Sequence, residues 1–384
     1  MSKKVLITGA RAPVAIDLSR SFMAAGYAPI LADSVYPWAA KASKSRARPI
    51  CRHPKPRYEF EQFSNWLKAY VRDEKPALII PTCEEVFYVA AAAQNGGFLD
   101  RVFTSKLETL KILHSKIDFP NLLDTLGVTA PKTWRIRRQS DLDTLPRPLN
   151  EYVFKPEYSR FGTATLIRPD LKTLENISFK TGLDWAAQSF IAGDEICFWS
   201  IAREGEIIGH AAYKPLWRYG RSAAYAFKHV QSEAALHVAQ SIAKAINYTG
   251  HLSFDIILTP NGEAIPIECN PRAVSGLHLL DAQSALAQTI MGQTELNIEV
   301  ADRRHISLAM ACLGLPSAIL SRRLPAFLSD WKASSDVLGR PGDKGPIAGA
   351  MLDAARFTFT GLGRFKTATA ETTDDIEWNG QALV

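Results

Sequence analysis

The sequence predicts a multidomain α/β and α+β protein: a parallel sheet wrapped by helices, then two antiparallel lobes, then a mostly helical extension. Three observations carry that expectation. Strands and helices alternate through the first hundred residues, short strands crowd together beyond Pro131, and Asn261-Gly262 separates two apolar runs. With 384 residues, 47% hydrophobic and 22% charged, the chain is long enough for two or three domains, each with its own core.

The elements follow in order. Residues 5–8 are a short apolar run; Gly9 follows, then a helical pattern that Gly26 ends, then a strand over 28–32. A strand over 77–80 stops at Pro81 ahead of a helix over about 84–94. Such alternation implies a parallel sheet with helices on its faces, expected as a first domain over 1–110. A helix over about 105–126 ends at Gly127. Short strands are then expected at 152–155, 164–167, 185–190, 195–202 and 207–213, with a helix at 232–246 and a hairpin over 252–270. These make a second domain over 111–295, with a central lobe at about 131–190 and a C-terminal lobe at about 191–295. The extension occupies 296–384.

Composition narrows the function. Five scattered cysteines, with no CxxC pair and no zinc-finger spacing, argue for a reducing cytoplasm and against a disulfide framework or structural zinc. No secretory leader is expected. The apolar stretch 307–320 is too short for a bilayer span and is expected to be a buried helix. Net charge is +6. The basic run over 41–57 is expected to be a solvated loop, so neither a nucleic-acid nor a membrane partner is expected; a basic cleft would still attract nucleotides.

The strongest local signal is LSFDIILTPNGEAIPIECNPR, residues 252–272. Asn-Gly favours a two-residue type I′ turn, because both central residues need φ > 0. Paired residue numbers would then sum to 523, setting Asp255 opposite Glu268. One face would carry Phe254, Ile256, Leu258, Ile265, Ile267 and Cys269, the other Ser253, Asp255, Glu268 and Asn270. Opposed carboxylates with Cβ atoms about 4.5–5.5 Å apart repel each other. Two readings stay open: a cation lies between them, for which these oxygen ligands suit Mg²⁺, or water screens an ordinary strand pair. Arg272 follows at once, a guanidinium suited to phosphate or carboxylate. Upstream, Lys155 ends a strand and 158–163 forms a Ser/Gly/Thr turn, either a phosphate cradle or a surface turn.

In this order and spacing, these elements resemble the ATP-grasp superfamily over about 106–280, preceded by a Rossmann-like domain of the matching type. Ser115-Lys116 is similar to the family's nucleotide-contacting lysine, and Phe154-Lys155-Pro156 to its other ATP lysine. Ser159, Arg160, Gly162 and Thr163 look like the loop that closes on the phosphates. Gln188, Ser189, Phe190 and Ile191 look like the hinge that reads the adenine edge, and Glu195 like the ribose-binding carboxylate. Asp255, Glu268 and Asn270 are similar to the magnesium hairpin. The phosphate loop has fewer glycines than the family's richest versions, Ser189 stands where many members carry an acid, and Asp255 where relatives often have Glu.

The resemblance implies a ligase that uses ATP and Mg²⁺ (or Mn²⁺) to activate a small-molecule carboxylate as an acyl phosphate, which an amine or similar nucleophile then attacks. Lys155 and Arg272 would act at the reacting groups. Lys214, Arg218, Arg221 and His229 are the candidates for substrate contact, and a homodimer is compatible. Other readings remain. One is a bicarbonate-activating enzyme of biotin-carboxylase or carbamoyl-phosphate type; another is a non-catalytic ATP-binding module. The third is a nicotinamide-dependent oxidoreductase, because Gly9–Ala15 with Asp33 stands where a dinucleotide fingerprint would, although Ala12 and Ala15 replace two glycines. Among the histidines, only His229 and His251 are singled out as possible site residues.

Overall fold

The computed structural model describes residues 2–159, 164–175, 184–218, 220, 224–280, 283–293 and 300–383. The first region runs β1 (Lys4–Ile7), α1 (Pro13–Ala24), β2 (Ala28–Asp33), α2 (Trp38–Ala42), β3 (Cys51–Arg52), α3 (Phe60–Glu74), β4 (Leu78–Ile80) and α4 (Glu85–Gly96). Its four strands pair in parallel in the order β3-β2-β1-β4. The middle strands are apolar because helices cover both faces. Gly9 leaves β1 at φ +69°, and a Cβ there would sit 2.6 Å from the side chains of Glu85 and Thr82, so only glycine makes this exit.

The turn after Gly9 is not arranged for a nicotinamide ribose. The Arg11 guanidinium holds Asp33 at 2.5 Å and Asp375 at 2.6 Å, so the acid that closes β2 is already paired. Nor is the basic run 41–57 simply solvated. Arg48 pairs with Glu74 (3.0 Å), Arg52 donates to the Ser34 carbonyl, and Arg57 pairs with Glu377 (3.0 Å).

The single helix expected over 105–126 is two, α5 (Leu107–His114) and α6 (Asp118–Thr125). Ser115 makes the break. Its hydroxyl accepts from the backbone N–H groups of Ile117 and Asp118, a local bond that competes with helix continuation. The central lobe follows: β5 (Thr133–Ile136), β6 (Tyr152–Pro156), β7 (Leu166–Ile167), α7 (Leu171–Glu175) and β8 (Trp185–Ser189), an antiparallel sheet in the order β5-β8-β6-β7.

The third sheet is built by β9 (Asp194–Arg203), β10 (Glu206–Arg218), β11 (Ala224–Val230), β12 (Gly250–Leu258), β13 (Ala264–Asn270), β14 (Arg303–His305) and β15 (Ser335–Asp336), in the order β13-β12-β9-β10-β11-β14-β15. Helix α8 (Glu233–Ala245) covers one face. Ser232 caps it, and Ala235, Ala239, Ile242 and Ala243 pack with Phe198, Phe254 and Ile256. Helix α9 (Ser284–Ile290) packs with α1 on the other side. β10 runs on to Arg218 through irregularities at Pro215 and Trp217, so most of the basic-aromatic segment from 213 is strand.

The extension is α10 (Ser307–Ala309), a π-helical turn (Met310–Gly314), α11 (Leu315–Leu320), α12 (Leu324–Ala333), α13 (Gly345–Gly363) and α14 (Ala368–Glu371). Contrary to expectation, the stretch 307–320 is only one-sidedly buried. Met310, Gly314 and Ala318, four residues apart, are covered, while Leu313, Ile319 and Leu320 face outward. Among the described residues, no helix is long and apolar enough to cross a membrane.

His251 lies deep in this scaffold, between Phe103 and Trp199, and burial pushes its pKa down to about 3. It is therefore a core residue. In the unfolded chain a histidine takes up a proton near pH 6.5. The folded protein refuses that proton until near pH 3, so stability is fully present above 6.5 and falls as the pH drops through this window. The slope is up to about 1.4 kcal/mol per pH unit. Replacing His251→Leu is expected to flatten the decline in the urea midpoint between pH 6.5 and 5; an unchanged slope would assign the acid sensitivity elsewhere.

Candidate active site

The hairpin of β12 and β13 sets the geometry. Its turn is not the expected two-residue one. Thr259 N–H donates to the Glu263 carbonyl and Gly262 N–H to that of Thr259, both at 2.9 Å, and Gly262 takes φ +83°. Pro260 explains this. It has no N–H for a tight pair with Glu263, whereas its fixed φ suits the first corner of a type I turn. Paired numbers near the turn therefore sum to 522, as in Ile257 opposite Ile265. An irregularity between Asp255 and Ile256 then returns the sum to 523, and Asp255 faces Glu268 as the sequence predicts. Ile265, expected on the apolar face with Phe254 and Ile256, instead shares a face with Asp255 and is buried there.

Side chains from three elements converge on this pair. The break at Ser115 turns Lys116 inward. Its ammonium is almost wholly buried, donates to the Ser159 carbonyl (3.0 Å) and lies 3.5 Å from Glu268. Lys155, at the end of β6, donates to Gln188 Oε1 (3.0 Å) and the Ile267 carbonyl (3.4 Å). Burial lowers its pKa, opposed by the charges of Glu268, Asp255 and Glu195. Asp255 is pushed the other way, up to about 7, by burial first and then by the charges of Glu268 and Glu195; the Cys197 thiol bonded to it works against the rise.

Asn270, opposite Ser253 on the same face, turns its Oδ1 toward an Arg272 Nη at 2.9 Å. Two carboxylates whose mutual repulsion and burial disfavour ionisation of Asp255, beside an amide oxygen, are a donor set whose charge a hard divalent cation would offset. Among the described residues there is no group of three His, Cys, Asp or Glu side chains able to hold a metal, so any cation here would complete its shell with other oxygens.

The other expected residues are spread along the same face or outside it. Glu195 lies opposite Ile257 and is gripped by both Nη atoms of Arg218 (2.9 and 3.0 Å). Gln188 bridges Lys155 and the Ile267 carbonyl. Ser189 and Phe190 N–H groups donate to the carbonyls of Lys132 and Glu151, and Ile191 leads out of β8 toward Gly193, where a Cβ would collide with the Leu258 carbonyl. Lys214 pairs with the exposed Asp194 (2.6 Å). His229 lies opposite Tyr213 and borders a separate cleft of about 880 Å³ whose lining contains none of the converging lysines or carboxylates. Arg160, Gly162, Thr163 and Arg221 lie outside the described residues.

Three contributors went unread in the sequence. Glu157 accepts from the Ser115 hydroxyl (2.6 Å) and, through its carbonyl, from Lys116 N–H (3.2 Å), fixing the break. Glu84, beyond the end of β4, lies 3.8 Å from the Arg272 guanidinium, and its other oxygen accepts from Trp378 N–H at 3.4 Å. Trp378 stacks on Phe87 (4.8 Å between centroids) and meets Tyr158 edge-on (4.9 Å), next to Ser159. The position of Glu84 past the carboxyl end of a parallel strand was a usable signal; Trp378 had none.

The parallel first domain, the two antiparallel sheets and this hairpin define the ATP-grasp fold. Among solved structures the chain is similar to an L-amino acid ligase from Bacillus licheniformis, with TM-score 0.59 and 16% identity over 79% of this chain and 78% of that one. It is similar to a phosphoribosylamine–glycine ligase from Thermotoga maritima (0.58, 15%, 78% of each). A third is the biotin carboxylase domain of a 2-oxoglutarate carboxylase from Hydrogenobacter thermophilus, solved with magnesium ADP and bicarbonate (0.58, 14%, 79% and 73%). No family model and no curated protein matches the sequence.

Proposed function

We propose that the chain is a cytoplasmic ATP-dependent ligase that converts a small-molecule carboxylate to an acyl phosphate and transfers the acyl group to an amine or similar nucleophile, releasing ADP and phosphate. The convergence of Lys116 and Lys155 on the opposed Asp255 and Glu268 carries this reading. Two buried cations beside two carboxylates suit a nucleotide's phosphates together with a divalent ion. The ligase names of two similar folds support it.

Asp255, Glu268 and Asn270 would hold Mg²⁺ or Mn²⁺, which would offset negative charge on the phosphates. Lys116 and Lys155 position the nucleotide, with Ser159 and the Arg160, Gly162 and Thr163 that follow it around the terminal phosphates. Gln188 to Ile191 face the base, and Glu195, oriented by Arg218, meets the ribose. Arg272, held by Asn270 and Glu84, steadies the transferred phosphoryl group and the carboxylate that attacks it. Little proton transfer is required, because positioning and electrostatics do most of the work.

Phosphate release, screened over carboxylates paired with amines and repeated with hydroxylamine to trap an acyl phosphate as a hydroxamate, tests the proposal. No release with any pair and no hydroxamate would refute it. Lys155→Ala is expected to weaken ADP binding about tenfold to a hundredfold, the usual worth of a hydrogen bond to a charged group; unchanged affinity by calorimetry would remove Lys155 from the site.

A further inference from the structure

We propose that the outward face of α13 is the two-fold contact of a homodimer, in which two copies of this helix pack antiparallel. Helix α13 is fixed to the first domain by its inner face. Gly349 lets it approach so closely that a Cβ would strike the Trp38 carbonyl, and Asp353 accepts from the N–H groups of Trp38 (3.1 Å) and Ala39 (2.9 Å). The outer face therefore belongs to a rigid platform, and it is apolar. From Gly345 to Gly363 its exposed residues include no charged side chain. Leu352 is 54% exposed, Phe359 74% and Leu362 66%. Soluble monomers rarely present such a face.

The spacing says what covers it. Ala348, Leu352, Ala355, Phe359 and Leu362 recur at intervals of three and four, the seam of a helix that packs lengthwise on another helix. The seam is self-complementary in one direction only. Set antiparallel about the point between Leu352 and Ala355, it places Leu352 on the partner's Ala355 and Phe359 on the partner's Ala348. Both layers join a large residue to a small one, the interdigitation that fills a core without voids. A parallel pair would instead stack Phe359 on itself and Ala348 on itself.

The same face serves both copies, as a two-fold contact requires. Each helix also brings its basic N-terminal end, at Lys344, beside the carbonyl end of its neighbour. With the flanking Met351 and Phe365, the exposed large residues present roughly 700 Å², near the ~800 Å² that each partner contributes to a stable interface. A membrane-surface helix would carry lysine and arginine along its polar side. Here that side is buried against α2, and Arg364 and Lys366 beyond the helix are paired with Glu371 and Asp374.

Sedimentation equilibrium of the full chain tests this. The expected result is a dimer at micromolar concentration that Leu352→Glu and Phe359→Glu each convert to monomer with unchanged circular dichroism, because both side chains are exposed in the single copy. A monomeric wild type at tens of micromolar overturns the proposal, as does a dimer that survives both substitutions. Sedimentation of a monomeric wild type with phosphatidylserine vesicles, lost in Phe359→Glu, would overturn it in favour of lipid.

Discussion

Glu268→Gln and Asp255→Asn are each expected to reduce ATP turnover by a factor of 10² or more while leaving the fold intact. The size follows from removing one fixed electrostatic contact to charge that must be stabilised in the transition state. The accompanying stability change makes the test sharper. Asp255 is pushed up to about 7 by burial and by Glu268, so its ionised form is unfavourable in the folded chain. In the unfolded chain it ionises near pH 4. Stability is thus fully present below about pH 4 and lost as the pH rises through 7. Asp255→Asn abolishes that loss, so at pH 8 without divalent cation the variant is expected to melt higher than the wild type. Added Mg²⁺ with ADP should raise the wild-type melting temperature by more than that of the variant, which keeps both lysines but loses a cation ligand. Turnover at the wild-type rate in either variant, or equal stabilisation of both proteins by the nucleotide, would remove these carboxylates from the chemistry.

The gain in stability on losing a carboxylate is characteristic of a site whose charges are arranged for a ligand. Alternation along β12 and β13 placed Asp255 and Glu268 on one face with no knowledge of the rest of the chain. The pairing came out right although the turn did not, because the register shift that Pro260 imposes is undone by the irregularity beyond Asp255. Strand alternation in the first domain was read for the same reason, since each apolar run is a local property. What depended on distant partners was not read. Residues 105–126 keep a helical pattern throughout; the local bonds to the Ser115 hydroxyl break it, and the bond from Ser115 to Glu157, 42 positions away, fixes the break that delivers Lys116 to Glu268. The outward side of 307–320 was misjudged because apolar composition alone does not say how many faces of a helix find a neighbour.

Trp378→Ala is expected to lower stability by about 3–5 kcal/mol, the range for truncating a large buried aromatic. Its indole is wholly enclosed, stacked on Phe87 and set against Tyr158, and its N–H donates to the Gln381 carbonyl at 2.9 Å. The surrounding segment is held independently, through Asp375 on Arg11 and Glu377 on Arg57, so the chain end is expected to remain docked while a cavity opens beneath it. That cavity adjoins both Tyr158, one residue before Ser159, and Glu84, which steadies Arg272. A urea series should show a lower midpoint at an unchanged slope, whereas Trp378→Phe, which keeps the stacking, should recover more than half of the loss. The site should respond separately. Loosening Glu84 and Tyr158 is expected to depress turnover at saturating ATP more than it weakens ADP binding, because Lys116 and Lys155 keep their own partners. An unchanged midpoint would mean that the chain end is not packed as described. A midpoint that falls while turnover per folded molecule stays constant would show that the indole supports the fold and has no part in orienting Arg272.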